Sequence, residues 1–297
     1  MIVRAVGIVG AGTMGQGIAV ACAAAGLDVL VSERTPQSAQ AALAEIVQGL
    51  DNDIAKWRRT ESEKKAILAR ICTVDSFGAL EAAQLVVEAV PDDLELKTAI
   101  FQELDLVCPP EDILATNTSA LSVSQIAART KRPDRILGLH FLTPVQVVPL
   151  VEVVRGLSTS DQTFRDALEF VRLLGKTGIE VFESPGYVTT RVILPFINEA
   201  MYVVMEGVAS AEAVDTSMRL GYGMPLGPLA LADRMGLDEV MRWMQHLFDE
   251  LGDLKYRPCP LLRKMVRAGR LGLKSGSGFF AYDEQGRITG APPSPDR

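Results

Sequence analysis

The chain has 297 residues, 48% hydrophobic and 23% charged, a balance that excludes disorder as a class. The length allows one large domain or two moderate ones. Lys+Arg 30 against Asp+Glu 37 gives a net charge of −7, so nucleic acid and anionic membrane are not expected partners. No apolar run reaches the ~18 residues that a spanning helix needs, and the N-terminus shows no apolar signal segment. The four cysteines (Cys22, Cys72, Cys108 and Cys259) are scattered without CxxC spacing. With only His140 and His246 beside them, no metal site is expected, and a reducing cytoplasm is.

The first motif lies at the start of the chain. Val6-Gly7-Ile8-Val9 reads as a buried strand. It runs directly into Gly10-Ala11-Gly12-Thr13-Met14-Gly15, a G-x-G-x-x-G turn. Small and apolar residues from Ile18 to Ala25 follow as a helix, and Gly26 stops it. Asp28-Val29-Leu30-Val31-Ser32 is the second strand, with Glu33 at its end, 18 residues after Gly15. Each part serves dinucleotide binding. Gly10 permits the tight turn, and Gly12 lets backbone approach the pyrophosphate. Gly15 allows close helix–strand contact, and the helix N-terminus carrying Thr13 and Met14 offers N–H groups to phosphate. Glu33 can accept hydrogen bonds from the adenosine ribose, and its charge repels a 2′-phosphate. NAD is the implied cofactor, while Arg34 leaves room for NADP.

Residues 36–50 read as a helix opened by Pro36. The charged stretch 51–70 reads as an inserted helical pair. Strands are expected at 85–87, 113–115, 136–140, 150–154 and 178–182, with helices at about 93–107 and 161–174. This alternation predicts an α/β fold with a doubly wound, mainly parallel sheet of Rossmann type. After Ser184-Pro185-Gly186 strand signals fade. Helices are expected at about 187–206, 211–220, 228–233, 237–251 and 260–268. The boundary therefore falls between a nucleotide domain, 1–183, and a C-terminal all-α domain, 184–297. Ligand is expected in the cleft between them, at the carboxyl ends of the strands. The tail 291–297 reads as disordered.

His140 ends one predicted strand, and Glu152 lies 12 residues on within another, Leu150-Val151-Glu152-Val153. A carboxylate among apolar residues needs a partner. A His–Glu pair supplies it, with the carboxylate fixing the imidazole tautomer and the imidazole acting as general base. Oxidation of a carbinol needs such a base, because the hydroxyl proton must leave with the hydride. His246, among Trp243, Leu247 and Phe248, reads as a helix-packing or helix-surface residue.

Longer blocks extend these motifs: GIVGAGTMGQGIA (7–19), LVVEAVPDDLELK (85–97), ATNTSALS (115–122), KRPDRILGLHFLTPV (131–145), LVEVVRG (150–156) and SPGYVTTR (184–191). With them the chain resembles the L-3-hydroxyacyl-CoA dehydrogenase family over nearly its whole length. The resemblance implies reversible NAD-dependent oxidation of an L-3-hydroxyacyl thioester, short-chain and 3-hydroxybutyryl-CoA-like. It implies a homodimer formed through the helical domain. It makes His140 the catalytic base and Glu152 its carboxylate partner. Ser119 matches a serine that hydrogen-bonds the substrate's 3-oxygen. Asp92 stands where the family usually has a cofactor-contacting glutamate, and Lys97, Asn117 and Thr143 fall at cofactor positions. Lys56 matches a lysine that approaches coenzyme A.

The chain departs from the family at informative places. Thr190 and Thr143 stand where the family has asparagines that touch substrate and nicotinamide. Met224-Pro225 replaces a His-Pro pair. The usual Lys-Gly turn of the helical insertion is absent. Threonine keeps one hydroxyl but loses the amide's reach and second donor, which implies a changed acyl pocket around an intact His140 and Glu152. Two alternatives stand beside this reading: the same chemistry on a carrier-protein-linked or unusual hydroxyacyl group, and a catalytically silent dinucleotide-binding protein. A lysine-dependent β-hydroxyacid dehydrogenase is disfavoured, because residues 191–206 hold no lysine. Glu33 predicts that NADH supports reduction of acetoacetyl-CoA better than NADPH by on the order of tenfold or more in kcat/KM. Initial rates with each nicotinamide check this, and equal rates would remove Glu33 from cofactor selection.

Overall fold

The computed structural model describes residues 2–290, so the tail 291–297 lies outside the described residues. The chain divides into two compact units, Met1–Tyr187 and Val188–Arg297. None of the described helices is long and apolar enough to cross a membrane.

The first unit is built on one eight-stranded sheet. Its strands are β1 (Ala5–Val9), β2 (Asp28–Ser32), β3 (Ile71–Val74), β4 (Leu85–Glu88), β5 (Ile113–Thr116), β6 (Ile136–Phe141), β7 (Leu150–Arg155) and β8 (Thr177–Phe182), in the order β3-β2-β1-β4-β5-β6-β7-β8. β6 and β7 pair antiparallel, and the other neighbours run parallel. Helices cover both faces: α1 (Thr13–Ala24), α2 (Pro36–Ala55), α3 (Glu61–Leu68), α4 (Leu94–Val107), α5 (Val123–Ala127) and α6 (Asp161–Leu173). Alternate strand residues feed two separate cores, as a pleat with period two requires. Val6, Ile8, Leu85 and Val87 join residues of α1, α2, α3 and α6 in one. Val9 and Val86 join Phe101 and Leu104 of α4 and Ile126 of α5 in the other. That double burial is why the central strands read as continuous apolar runs.

Two local expectations change. The stretch 51–70 is not a separate helical pair, because α2 runs unbroken to Ala55 and α3 alone follows. Thr35 and Thr60 cap these helices, each in a reciprocal capping box. The two helices form the crossover from β2 to β3, a strand absent from the sequence reading. Ile71-Cys72-Thr73-Val74 is an edge strand with its two central residues exposed, so it carries no buried apolar run.

The second unit holds α7 (Thr189–Met205), α8 (Ala211–Tyr222), α9 (Pro228–Met235), α10 (Leu237–Leu251) and α11 (Pro260–Arg267). They pack around Leu194, Met201, Leu237, Met244 and Tyr256. A two-stranded hairpin, β9 (Ala281–Tyr282) with β10 (Ile288–Gly290), adds a short sheet that the all-α reading lacked. Buried aspartates order this unit. Asp215 accepts the Leu229 and Ala230 N–H groups at 2.8 and 2.9 Å, where the N-cap Gly227 of α9 has no side chain to do so. Asp233 accepts Phe279 N–H and Phe280 N–H at 2.9 Å each and the Tyr282 hydroxyl at 3.0 Å.

Burial pushes Asp233 from 3.8 up to about 6. The folded carboxyl therefore holds its proton over a pH range where the unfolded one has lost it. Its contribution to stability is full below about pH 4 and is lost as pH rises through about 6. The stability difference between wild type and Asp233→Asn should shrink by up to about 3 kcal/mol between about pH 4 and pH 7. Urea unfolding of both proteins measures this, and a pH-independent difference would contradict it.

Candidate active site

The turn after β1 is shaped for close approach of a phosphate. Gly10 has φ +88, a left-handed value open to glycine. A Cβ on Gly15 would lie 1.8 Å from the Gly10 carbonyl oxygen, so α1 can pack against the turn only without a side chain there. Nothing lies within 4 Å of where a Gly12 side chain would begin. Gly12 is also the N-cap of α1, which has no side-chain cap and no acid in its first turn. The partial positive charge of the helix end, with exposed Thr13 and half-buried Met14, is thus left for an anionic ligand. Glu33, half-buried at the end of β2, accepts the Ala11 N–H through Oε1 and the Arg34 N–H through Oε2. This ties the acid to the glycine turn and fits the adenosine end of NAD.

A buried charge network stands behind the next loop. Glu88 ends β4 and Lys97 lies on α4, and both side chains are wholly buried. Lys97 Nζ donates to Glu88 Oε1 at 2.7 Å and to the Val90 carbonyl at 3.0 Å, and lies 3.4 Å from Asp92 Oδ1. Glu88 also accepts Val90 N–H at 2.7 Å and the Thr116 hydroxyl at 2.8 Å. Burial pushes the Glu88 carboxyl upward, and Lys97, Thr116 and the Val90 N–H pull it back. Lys97, expected near the cofactor, is wholly buried and uses its donors inside this network. Its donors hold the loop that carries Asp92. Asp92 Oδ2 in turn accepts the Ser119 hydroxyl at 3.3 Å.

His140 and Glu152 stand opposite each other in the β6–β7 register. Directly opposed residues of antiparallel strands share one face, and His140 Nδ1 lies 2.6 Å from Glu152 Oε2. Glu152 is wholly buried and His140 nearly so, with 8% of its side chain exposed. A carboxylate only accepts, so Nδ1–H donates and the Nε2 lone pair is left for a substrate proton. Asn117 Oδ1 accepts the Phe141 N–H at 3.0 Å, fastening the Ser119 loop to the end of the His140 strand. Thr143, just beyond β6, donates through its hydroxyl to Met14 Sδ at 3.1 Å. Two expected cofactor residues, from separate motifs, thus meet.

Lys56 is the exposed C-cap of α2. Thr190 belongs to the second unit, in the first turn of α7. His246 is half-buried on α10. Two residues were missed. Tyr187 is buried at φ +47, with its ring centroid 5.5 Å from that of His140. Only its place in the SPGY block marked it. Glu88 was open to the reasoning used for Glu152, a carboxylate ending an apolar strand.

A doubly wound sheet that brings an open glycine turn and a buried histidine–carboxylate pair to one unit defines a nicotinamide-dependent oxidoreductase. Comparison with known proteins agrees. Residues 5–184 match the model of the 3-hydroxyacyl-CoA dehydrogenase NAD binding domain, and residues 186–282 match that of its C-terminal domain. The chain belongs to the 3-hydroxyacyl-CoA dehydrogenase family. It is 48% identical to a probable 3-hydroxybutyryl-CoA dehydrogenase of Bacillus subtilis, over 96% of this chain and 99% of that one. It is 42% identical to a 3-hydroxybutyryl-CoA dehydrogenase of Bradyrhizobium diazoefficiens, over 100% and 99%. The crystal structure of (S)-3-hydroxybutyryl-CoA dehydrogenase from Ralstonia eutropha superposes with TM-score 0.89 at 45% identity, covering 95% of this chain and 100% of that one.

Removing one member of a buried ion pair strands the other. Lys97→Met should cost roughly 3–5 kcal/mol in urea unfolding, and adding Glu88→Leu should restore part of it. Independent, additive losses would show that the two groups are not coupled.

Proposed function

We propose that the protein interconverts a short-chain, 3-hydroxybutyryl-CoA-like L-3-hydroxyacyl-CoA and its 3-oxoacyl-CoA, with His140 as the base. The observation that carries this is the 2.6 Å contact between His140 Nδ1 and Glu152 Oε2. Bound NAD supplies the hydride acceptor, at its nicotinamide ring. His140 Nε2 takes the 3-hydroxyl proton during oxidation and returns it during reduction. Glu152 then faces an imidazolium, and its buried negative charge stabilises that state over the neutral ring. Ser119 turns its hydroxyl to the substrate's 3-oxygen. Its 3.3 Å bond to Asp92 is long for a hydroxyl donor, so it is readily exchanged. Thr190 and Lys56 take the substrate contacts that the resemblance gives them. Gly10, Gly12, Gly15, Thr13, Met14 and Glu33 receive the dinucleotide, with Asn117, Thr143 and Asp92 near its nicotinamide end. A homodimer through the helical unit and a cytoplasmic location complete the reading. The short acyl chain is supported by the names of the full-length relatives.

His140→Ala should retain NADH binding, read by nicotinamide fluorescence, and lose roughly a hundred- to ten-thousandfold in turnover of acetoacetyl-CoA. Turnover near that of the wild type would sink the assignment. Glu152→Gln should lower kcat with little effect on KM, because it acts on the protonated imidazole.

A further inference from the structure

Tyr187 closes the first unit in a backbone conformation that suits glycine. Its φ is +47, and that of the preceding Gly186 is +77, so a bulky side chain stands where L residues are disfavoured. A residue kept at such a φ is one whose side chain is needed where it lies. Tyr187 is 4% exposed. Its ring centroid lies 5.5 Å from that of His140, with the two planes inclined at 58°, an aromatic contact of the tilted kind. Its hydroxyl donates to the Leu121 carbonyl at 3.4 Å. Burial and the carboxylates of Asp92, Glu183 and Glu152 push the phenol upward, so it keeps its proton and does not compete with His140 as a base.

Glu152 holds the imidazole at one atom, Nδ1. One hydrogen bond sets the tautomer but lets the ring swing about it, so aiming Nε2 needs a second contact on the ring. Ser119 must be set against the same Nε2, and its loop is tied toward His140 on both sides. Two residues before it, Asn117 accepts the Phe141 N–H at 3.0 Å. Two residues after it, Leu121 accepts the Tyr187 hydroxyl. Thr118 Oγ1 accepts the Ala120 and Leu121 N–H groups at 3.2 and 3.0 Å, which keeps the turn between these ties tight. Glu183 accepts the Ser122 hydroxyl at 3.3 Å and the Ser124 N–H at 2.8 Å. The segment 183–187 is thus anchored on the Ser119 loop at one end and on His140 at the other.

We propose that Tyr187 is a positioning residue, whose ring fixes the plane of the His140 imidazole and so aims Nε2 at the 3-oxygen held by Ser119. This rests on the assignment of His140 as the base. Tyr187 acts through His140 and moves no proton itself.

The chain has two histidines, His140 and His246, so His246→Gln identifies the imidazole proton signals of each by NMR. In the wild type the ring current of Tyr187 should displace those of His140. Tyr187→Phe should keep the displacement, and Tyr187→Leu should lose it. Single-turnover hydride transfer from NADH to acetoacetyl-CoA, with sites counted by NADH binding, should fall roughly ten- to a hundredfold in Tyr187→Leu. KM for NADH should not change. Tyr187→Phe should restore most of the rate, because the 3.4 Å bond it gives up is long. A merely structural role would lower stability in urea and leave the rate per NADH-binding site intact, and that result would overturn the proposal. A Tyr187→Phe protein slowed a hundredfold would also overturn it, whether or not the Leu variant folds. So would undisplaced His140 signals in the wild type. Normal turnover by His140→Ala would instead strike the base assignment on which the proposal rests.

Discussion

One antiparallel pairing in an otherwise parallel eight-stranded sheet sets the terms for the chemistry. Because β7 returns beside β6, Glu152 arrives directly opposite His140 on the same face. A slip of one residue would send Glu152 to the opposite face, among Leu139, Phe141, Val151 and Val153. No imidazole waits there, and an unpaired buried carboxylate is costly. Register is therefore enforced twice, by the apolar residues that must face one core and by the charge that must not. The loop 142–149 joining the two strands places Thr143 against Met14 of the glycine turn. Strand reversal thus links His140 to the glycine turn.

The sheet buries two carboxylates near its chemistry, and it treats them differently. Glu88 is answered by an ammonium, a hydroxyl and a backbone N–H, a set with no proton to exchange in the reaction. Glu152 is answered by an imidazole, the side chain suited to gain and lose a proton near neutral pH. The first arrangement holds a loop in place, carrying Asp92 to Ser119. The second has the chemistry that acid–base work requires. The same residue type in the same kind of apolar strand takes a different character according to its partner.

Much of this was legible in the sequence. Long periodic elements, the glycine turn, Glu33 and the His140–Glu152 pair were all readable, because each rests on local pattern or on the need of a buried acid for a partner. What escaped was set by tertiary context. β3 has four residues, with the middle two exposed, and gives no apolar signal. The extent of α2 was obscured because its charged end, Asp51 to Ala55, is polar enough to read as a new element. Lys97 was placed near the cofactor by the resemblance alone, and its burial was not legible. Its burial depends on Glu88, Val90 and Asp92 in the preceding strand and loop, and spacing alone does not reveal which way it turns. Tyr187 becomes visible only when the end of the first unit folds back beside His140.

The open ends of the sheet carry a further consequence. An uncovered strand offers unpaired N–H and C=O groups to any passing chain, which is a route to aggregation. At one end β3 is cut to four residues, with Cys72 and Thr73 exposed. At the other, β8 exposes Phe182 at 69% but also sets Glu180 against Arg155 at 3.1 Å. A second strand docking there would have to strip water from that ion pair. The brevity of one border and the charge on the other oppose the sheet's templating its own growth, so a sheet wide enough to hold β6 and β7 inside it need not be an aggregation liability.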